Sequence, residues 1–254
     1  MNVRKVKKIL ISQPKPSSEK SPYYDIAEKF NVEVIFRPFI KVERLTSKEF
    51  RQQRINILDF TAIIFTSKTA IDHFFSLCEE LKIAIPDTMK YFCISESIAL
   101  YLQKYIVYRK RKIFFSPTRK IEGLNGAFAK NLKEKFLFPV PEEHNEEFAN
   151  FLDEKKIDYT KSVMYRTVSN DFEEGETLDC DMMLFFSPIG VASLLKNFPD
   201  FEQGDIAIGC FGNTTAKAVE DAGLRLDCKA PQPEYPSMAA ALEAFLENNH
   251  KAHV

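Results

Sequence analysis

Two apolar runs of this sequence end at a serine and continue directly into a segment with helical spacing. They are TAIIFTS, which ends at Ser67, and MMLFFS, which ends at Ser187, 120 positions later. A hydroxyl at such a junction, beside the free N–H groups that begin a helix, suits the binding of an anion. The pattern therefore predicts binding roles for Ser67 and Ser187, although a serine at this position can also serve only as the N-cap of its helix.

A second pair of turns follows the first pair in the same order. SESIALYLQK, at 95–104, aligns with GNTTAKAVED, at 212–221, and this alignment places Ser97 opposite Thr214. N-cap preference explains the hydroxyls but not their matched order, so we interpret the two pairs as an internal duplication. The alternative is that any two strand-serine-helix turns look alike.

These hydroxyls need a scaffold of strands and helices, and the sequence alternates the two. The candidate strands are KILIS, TAIIFTS, YFCIS, KIFFS, KFLFPV, MMLFFS, DIAIGCF and LDCKA. The candidate helices lie at 22–30, 68–82, 96–105, 122–132, 143–155, 189–197, 214–222 and 237–247. Strands that are apolar on both faces need helices on both sides, so the pattern predicts an α/β fold with parallel sheets.

Two stretches break the alternation and are predicted to connect two lobes. VEVIFRPFIKVERL, at 32–45, is β-prone and contains Pro38, and the stretch 159–179 begins β-prone and ends acidic. If both cross between lobes, residues 1–37 and 168–254 form one discontinuous lobe and residues 38–167 form the other. The strand-end hydroxyls would then line a cleft between the lobes.

Composition narrows the classes of function. The 254 residues carry 35 basic and 36 acidic side chains, a net charge of −1, which argues against binding of nucleic acid through bulk charge. The sequence has no GxxxxGK[ST] motif, and GCFGNT at 209–214 lacks the third glycine of a dinucleotide fingerprint. We therefore expect no nucleotide cofactor, and any anionic ligand must be held locally.

The cysteines, the histidines and the apolar runs exclude further kinds of site and location. The five cysteines include no CxxC pair and are odd in number, which predicts reduced thiols rather than disulfides. The four histidines lack metal-ligand spacing, so no metal site is expected. The early apolar run ILIS is far too short for a signal peptide or a membrane span, so the expectation is a cytoplasmic protein without membrane contact.

Four segments together resemble the uroporphyrinogen-III synthase family. They are IIFTSKTAIDHFF, SVMYRTV, FFSPIGVASLL and IAIGCFGNTTAKAVEDAGLRLDCKAPQP, and the likeness covers most of the chain in the family's order. The resemblance implies two flavodoxin-like lobes joined by a two-stranded linker, with the N-terminal strand grouped with the C-terminal segment. It also implies a lyase of tetrapyrrole and heme biosynthesis that works without a cofactor. A monomer is expected.

The reaction that the resemblance implies is the closure of hydroxymethylbilane, a linear tetrapyrrole with eight carboxylates, to uroporphyrinogen III. Loss of the terminal hydroxyl as water gives an electrophilic azafulvene, and a spiro intermediate then reopens so that ring D is inverted. The enzyme must fold the substrate, promote departure of the hydroxyl and prevent direct closure. That is catalysis by positioning with general-acid help.

The same resemblance suggests site residues. Tyr165 matches the family's cleft tyrosine and is the candidate catalytic residue, since a phenol can donate to a departing hydroxyl; otherwise it is an aromatic spacer on a connecting strand. The candidate substrate-binding residues are Ser67, Lys68, Ser97, Ser187, Asn213, Thr214 and Thr215. Lys68, Lys217 and Arg166 could meet carboxylates, but solvation at the surface is the commoner fate of such side chains.

Departures from the family pattern keep two further functions open. Gln13 stands where the family often has arginine, and 138–148, FPVPEEHNEEF, replaces a Gly-rich, Arg-bearing loop. These changes would suit a catalytically inactive, two-lobed regulatory module that binds a tetrapyrrole or another anion. A phosphosugar-binding α/β protein would also use such turns. Tyr165 and the two threonines favour the enzyme.

Overall fold

A computed structural model describes residues 3–18 and 20–253 of the chain. The chain forms two compact units, one of Met1–Lys41 with Val168–Val254 and the other of Val42–Thr167, here called unit 1 and unit 2. The lobe boundaries expected from the sequence, 37/38 and 167/168, stay a prediction.

Strands and helices alternate along the chain. The strands are β1 (Lys8–Ile11), β2 (Glu33–Phe36), β3 (Ile40–Arg44), β4 (Ala62–Phe65), β5 (Lys90–Cys93), β6 (Ile113–Phe115), β7 (Phe136–Pro141), β8 (Tyr159–Ser169), β9 (Met182–Phe185), β10 (Ala207–Phe211) and β11 (Cys228–Ala230). The helices are α1 (Pro22–Phe30), α2 (Ser47–Gln52), α3 (Lys68–Glu80), α4 (Glu96–Tyr101), α5 (Asn125–Ala129), α6 (Glu147–Glu154), α7 (Pro188–Asn197), α8 (Asn213–Asp221) and α9 (Met238–Lys251). Short 3-10 turns precede α5 and follow α4.

The sheet of unit 1 has the flavodoxin-like strand order. Its five strands lie in the order β11-β10-β9-β1-β2, and every neighbouring pair is parallel. Counted along the chain within the unit, this is the order 2-1-3-4-5. The predicted α/β fold with parallel sheets is confirmed.

Unit 2 repeats that arrangement with a different starting point. Its six strands lie in the order β3-β8-β7-β4-β5-β6. Without the edge strand β3, the order is β8-β7-β4-β5-β6. If β7 is counted as strand 1, β8 as 2, β4 as 3, β5 as 4 and β6 as 5, this order is again 2-1-3-4-5. The strand β4 therefore occupies the position of β9, and β5 that of β10, which supports the predicted duplication.

The continuous apolar runs are strands covered on both faces. In β4, Ile63 and Phe65 pack into one buried cluster while Ala62 and Ile64 pack into another on the opposite face. The strand β9 divides its four residues between two clusters in the same alternating way. Each such side chain contributes about 1.5–3 kcal/mol when fully buried, so these central strands hold each unit together.

The two predicted connectors also supply sheet strands. In the first, Pro38 separates β2, in the sheet of unit 1, from β3, in the sheet of unit 2. In the second, β8 pairs in parallel with β7 before the chain continues into unit 1. The helix α2 was not predicted; its N-cap is Thr46, whose hydroxyl accepts a hydrogen bond from the backbone N–H of Glu49 in a capping box.

No helix within residues 3–18 and 20–253 is both long enough and apolar enough to cross a membrane.

Candidate functional site

A cavity of about 530 Å³ opens in unit 2 where the parallel strands end. It is lined by residues that follow β4, β5 and β6, by residues of β7 and β8, and by the segment that leads from β7 into α6. The strands β7 and β4 are neighbours, and the chain continues to β8 on one side and to β5 on the other. This reversal is a topological switch point, the usual place for a ligand in an open α/β sheet.

Ser67 lies in this cavity and caps α3. Its hydroxyl oxygen accepts a hydrogen bond from the backbone N–H of Ala70 at 3.0 Å. The same oxygen lies 3.3 Å from the phenol oxygen of Tyr165, within hydrogen-bond range. Ser67 is therefore both an N-cap and a hydrogen-bond partner of the candidate catalytic residue, and its expected binding role stays a prediction.

Tyr165 reaches the cavity from β8 and is held on two sides. Its side chain is buried, with 8% exposure, and its ring stacks on His73 of α3, with 5.0 Å between centroids and an interplanar angle of 28°. Burial lowers the pKa of His73 below its ordinary 6.5, against the opposing charge of Asp72 and with a smaller lowering effect from Arg44. His73 is thus mainly neutral at pH 7.

Lys68 is exposed at the first position of α3. Its ammonium lies 5.3 Å from the centroid of the Tyr101 ring, and the Tyr101 hydroxyl donates to the Asp72 carboxylate at 2.9 Å. Lys104 donates to the same carboxylate at 3.0 Å. The Tyr101 ring therefore provides a cation–π contact for Lys68 while the ammonium remains open to solvent.

Arg166, next to Tyr165, is engaged with two glutamates instead of being solvated on its own. It donates to Glu43 at 3.0 Å and to Glu49 at 2.7 Å. The backbone N–H and hydroxyl of Thr46, followed by Arg166, lower the pKa of Glu49 to about 2. Arg166 thus ties β8 to β3 and α2.

Sequence reasoning did not identify three residues that line the same cavity: Arg119, Lys120 and His144. Arg119 and Lys120 follow β6, whose run KIFFS ends in a serine like the other strand ends, so a signal for this loop existed. His144 lies in the 138–148 stretch that departs from the family pattern, where the sequence offered no chemical reason to select it.

His144 has a defined tautomer in its neutral state. Its Nδ1 lies 2.8 Å from the carbonyl oxygen of Pro141, and because a carbonyl only accepts, Nδ1 must carry the hydrogen. Its Nε2 is buried without a hydrogen-bond partner among the described residues, although Glu146 Oε1 lies 3.3 Å away. In the neutral tautomer this nitrogen carries a lone pair and has no hydrogen to donate to that oxygen.

In unit 1, Ser187 caps α7 as Ser67 caps α3. Its hydroxyl accepts from the backbone N–H of Gly190 at 3.1 Å. In unit 2, Ser97 is exposed and its hydroxyl lies 3.1 Å from that of Ser95, which caps α4 through the N–H of Ile98 at 3.4 Å.

The helix α8 begins without a side-chain cap. Its N-cap is Gly212, at φ 92°, a conformation that side-chain-bearing residues rarely adopt. Asn213 and Thr214 are exposed, whereas Thr215 has 2% exposure. The first N–H groups of this helix are available to a ligand, and Thr215 would contribute its backbone more readily than its hydroxyl.

The predicted residues therefore form two groups. Ser67 and Tyr165 share the cavity of unit 2, with Lys68 next in the chain. In unit 1, Ser187 and Asn213–Thr215 follow the adjacent strands β9 and β10. Across the described part of the chain no cluster of three or more His, Cys, Asp or Glu side chains could hold a metal ion.

Comparison with known proteins identifies the relatives of this chain. The family model HEM4, uroporphyrinogen-III synthase HemD, matches residues 22–240. A uroporphyrinogen-III synthase from Schizosaccharomyces pombe is 23% identical over 246 residues, which cover 90% of this chain and 93% of the relative. The crystal structure of uroporphyrinogen-III synthetase from Helicobacter pylori aligns with a TM-score of 0.55 at 20% identity, covering 95% of this chain and 99% of that one.

The family match spans far more than half of the chain, and the solved structure supports the fold. The chain belongs to the uroporphyrinogen-III synthase family.

Proposed function

We propose that this protein closes hydroxymethylbilane to uroporphyrinogen III, with inversion of ring D and loss of water. The observation that carries the proposal is the contact between Tyr165 and Ser67 inside a cavity at a switch point, in a chain that belongs to this family of cyclising lyases. A phenol beside a hydroxyl can assist the departure of the substrate hydroxyl without a cofactor.

The hydrogen-bond inventory of Ser67 supports Tyr165 as a donor to the substrate. Ser67 Oγ accepts from the N–H of Ala70, so its own hydrogen is free to be donated. If Ser67 donates to the phenol oxygen of Tyr165, the phenol hydrogen is left to point into the cavity. Tyr165 would then donate to the leaving hydroxyl of the substrate.

The first chemical step can be written with all its atoms. The carbon–oxygen bond to the terminal hydroxyl breaks as that oxygen receives a proton and leaves as water. The adjacent pyrrole nitrogen supplies the electron pair and loses its own hydrogen, so the azafulvene is the substrate minus one water molecule. Tyr165 would stabilise the developing charge on the leaving oxygen.

We propose that the remaining candidates bind the carboxylates of the substrate. The open start of α8 would bind one through Asn213, Thr214 and the N–H of Thr215. The Ser187 turn is available for a further carboxylate through its backbone N–H groups. In unit 2, Lys68 and Ser97 are exposed at the starts of their helices and would meet other carboxylates.

The catalytically inactive binding module is not favoured. Gln13 and the 138–148 segment remain departures from the family pattern, but the candidate catalytic tyrosine has a serine partner and a stacking partner. A regulatory protein without chemistry has no need for that arrangement. The monomeric state and the cytoplasmic location expected from the sequence stay predictions.

The deciding experiment is an isomer assay. Purified protein is incubated with freshly generated hydroxymethylbilane, and the type I and type III products are separated after oxidation. The enzyme yields predominantly type III, whereas type I alone, at the uncatalysed rate, would refute the proposal. Type III formation that persists in heat-denatured protein would indicate a contaminant.

A further inference from the structure

We propose that Arg119 and Lys120 form a carboxylate subsite in the cavity of unit 2, which holds one acidic side chain of the substrate. This inference rests on the proposed function for the identity of the ligand. The subsite itself rests on the placement of two cations in the same cavity as Ser67 and Tyr165.

Neither cation has an ion-pair partner among the described residues. Arg119 and Lys120 are exposed, and neither is within ion-pair distance of an acidic group in residues 3–18 and 20–253. Arg166, by contrast, is bound to Glu43 and Glu49. Among the described residues, no carboxylate therefore competes with a ligand for the side chains of Arg119 and Lys120.

The loop that carries them is held in one conformation. Ser116, 1% exposed, donates from its hydroxyl to the carbonyl oxygen of Lys120 at 2.5 Å, and the N–H of Gly123 donates to the same carbonyl at 3.1 Å. A Cβ at Gly123 would overlap the Ser116 hydroxyl and lie 2.8 Å from Thr118 Oγ1. The loop can close this tightly only because residue 123 is glycine.

Arg119 has a backbone conformation that is uncommon for its type. Its φ is 59°, in the left-handed region, which few non-glycine residues occupy. The two hydrogen bonds to the Lys120 carbonyl fix the turn around it. Preorganisation of this kind lowers the entropy lost when two flexible cations close on a ligand.

The rest of the cavity suits a carboxylated pyrrole. Ile94, Phe138, Val140 and Phe148 supply apolar surface for the ring, while Arg119 and Lys120 supply charge for its acidic substituent. Guanidinium and ammonium groups together bind a carboxylate more strongly than hydroxyls alone.

Acidic residues in the same cavity give the inference a second test. Glu122 and Glu147 also line it, and both are exposed. If the bound group is a carboxylate, a nearby glutamate opposes binding, and its neutralisation strengthens binding. If the bound group is instead a hydrogen-bond donor such as a pyrrole N–H, the same change weakens binding.

The experiment measures binding of uroporphyrin III, a stable tetrapyrrole with eight carboxylates, by fluorescence titration. The double variant Arg119→Gln and Lys120→Gln should lose about five- to thirtyfold in affinity, the range for charge-assisted bonds that are partly exposed. With hydroxymethylbilane the KM should rise while kcat changes little, because the contact persists throughout the reaction. The wild-type salt dependence of binding should also weaken in the variant.

The matched control is the double variant Arg111→Gln and Lys130→Gln. Both residues are exposed cations of unit 2, so the net charge changes equally, but neither lines the cavity. Any one of three results would overturn the subsite. They are an equal loss of affinity in the control, unchanged affinity in the Arg119 and Lys120 variant, and weaker binding in Glu147→Gln. Unchanged or tighter binding in Glu147→Gln, together with a loss confined to the first variant, supports it.

The wild-type protein is assayed for the type III isomer in parallel. A wild type that binds uroporphyrin but makes no type III isomer would refute the proposed function and leave the subsite standing. A wild type that makes type III, with the Arg119 and Lys120 variant unaffected in KM and in binding, would refute the subsite alone.

Discussion

Ser67 in unit 2 and Ser187 in unit 1 occupy equivalent turns and differ in one contact. Both cap their helices: the hydroxyl oxygen lies 3.0 Å from the backbone nitrogen of Ala70 for Ser67 and 3.1 Å from that of Gly190 for Ser187. The backbone angles are also alike, φ −151° and ψ 158° for Ser67 and φ −154° and ψ 152° for Ser187. Ser67 also meets the phenol of Tyr165, whereas the Ser187 hydroxyl has no side-chain partner in the described residues. The local sequence of each turn forms the cap, and the contact with Tyr165 of β8 makes the Ser67 turn part of a candidate catalytic site.

The turns one strand further along show the opposite difference. The helix α4 of unit 2 is capped by the side chain of Ser95, while α8 of unit 1 begins at Gly212 with no side-chain cap. The uncapped helix start therefore lies in unit 1, whereas Tyr165 lies in unit 2. The two units therefore differ at both pairs of turns, in the side-chain partner of the serine and in the cap of the next helix.

The strongest test of this comparison removes the phenol hydroxyl. Tyr165→Phe should lower kcat by roughly ten- to a thousandfold, the scale of a general-acid contribution, while uroporphyrin affinity and folding stay nearly unchanged. The type III isomer should still dominate the enzymatic product, because the held geometry selects it.

Tyr159→Phe is the matched control for Tyr165→Phe. It removes a phenol from the first residue of β8, where the hydroxyl donates to the carbonyl of Ala149 at 3.4 Å. Its kcat should match wild type. Full turnover in Tyr165→Phe would make Tyr165 a structural aromatic and would remove the functional difference between the two serine turns.

The next test changes the two caps themselves. Ser67→Ala and Ser187→Ala should each lower the free energy of unfolding by about 1 kcal/mol, the usual value of an N-cap, as measured by urea denaturation. Only Ser67→Ala should also lower kcat, by about two- to tenfold, since it loses one hydrogen bond to Tyr165.

The combination Ser67→Ala with Tyr165→Phe sharpens the second test. If the serine acts through the phenol, the double variant should be no slower than Tyr165→Phe, because neighbours in one hydrogen-bond network are not additive. Fully multiplicative losses would show that Ser67 acts on the substrate independently.

The third test compares the two helix starts. Thr214→Ala should weaken uroporphyrin binding by about two- to fivefold, the value of one exposed hydrogen bond, with kcat preserved. Ser97→Ala should have a smaller effect, since its hydroxyl already contacts Ser95. A larger loss in Ser97→Ala would show that the start of α4 contributes more to binding than the start of α8.

The smallest expected effect is a pH dependence of stability from His73, which stacks on Tyr165. Burial lowers the pKa of His73 below 6.5, so the unfolded chain takes up a proton before the folded one as the pH falls. The contribution of His73 to stability is complete above about pH 6.5 and declines as the pH falls to its lowered pKa.

His73→Phe keeps a stacking ring and should remove that part of the pH dependence, which urea denaturation at pH 8 and pH 5.5 would detect. The variant should also retain most of the kcat, whereas His73→Ala should lose more of it. An identical pH dependence in wild type and His73→Phe would show that the ring is not a sensor of pH.

Local pattern predicted most of the elements. The helix expected over 68–82 is Lys68–Glu80, and the one expected over 189–197 is Pro188–Asn197, because apolar spacing and a serine before each helix are local signals. The helix α2 was missed although Thr46 and Glu49 carry a capping-box pattern. Its six residues are too few for a periodic apolar face to show.

The site was less predictable than the fold. The sequence identified Ser67 and, through resemblance, Tyr165, but their contact joins residues 98 positions apart. The stack of His73 on Tyr165 and the place of Arg119 and Lys120 in the cavity depend on which strands become neighbours. No local periodicity contains that information, since it follows from the order β8-β7-β4-β5-β6.

The interrupted chain path of unit 1 has a consequence for its synthesis. The strand β1 pairs with β9, which begins at Met182, 171 residues after β1 ends at Ile11. At a translation rate of ~5–20 residues per second, the nascent chain carries an apolar strand without that partner for about 10 to 35 s, while unit 2 is completed and can already fold on the ribosome. Ile9, Leu10 and Ile11, each at most 7% exposed in the finished protein, offer an open strand edge throughout that interval. Chaperone protection would therefore matter most for this early strand, which belongs to the unit whose synthesis is completed last.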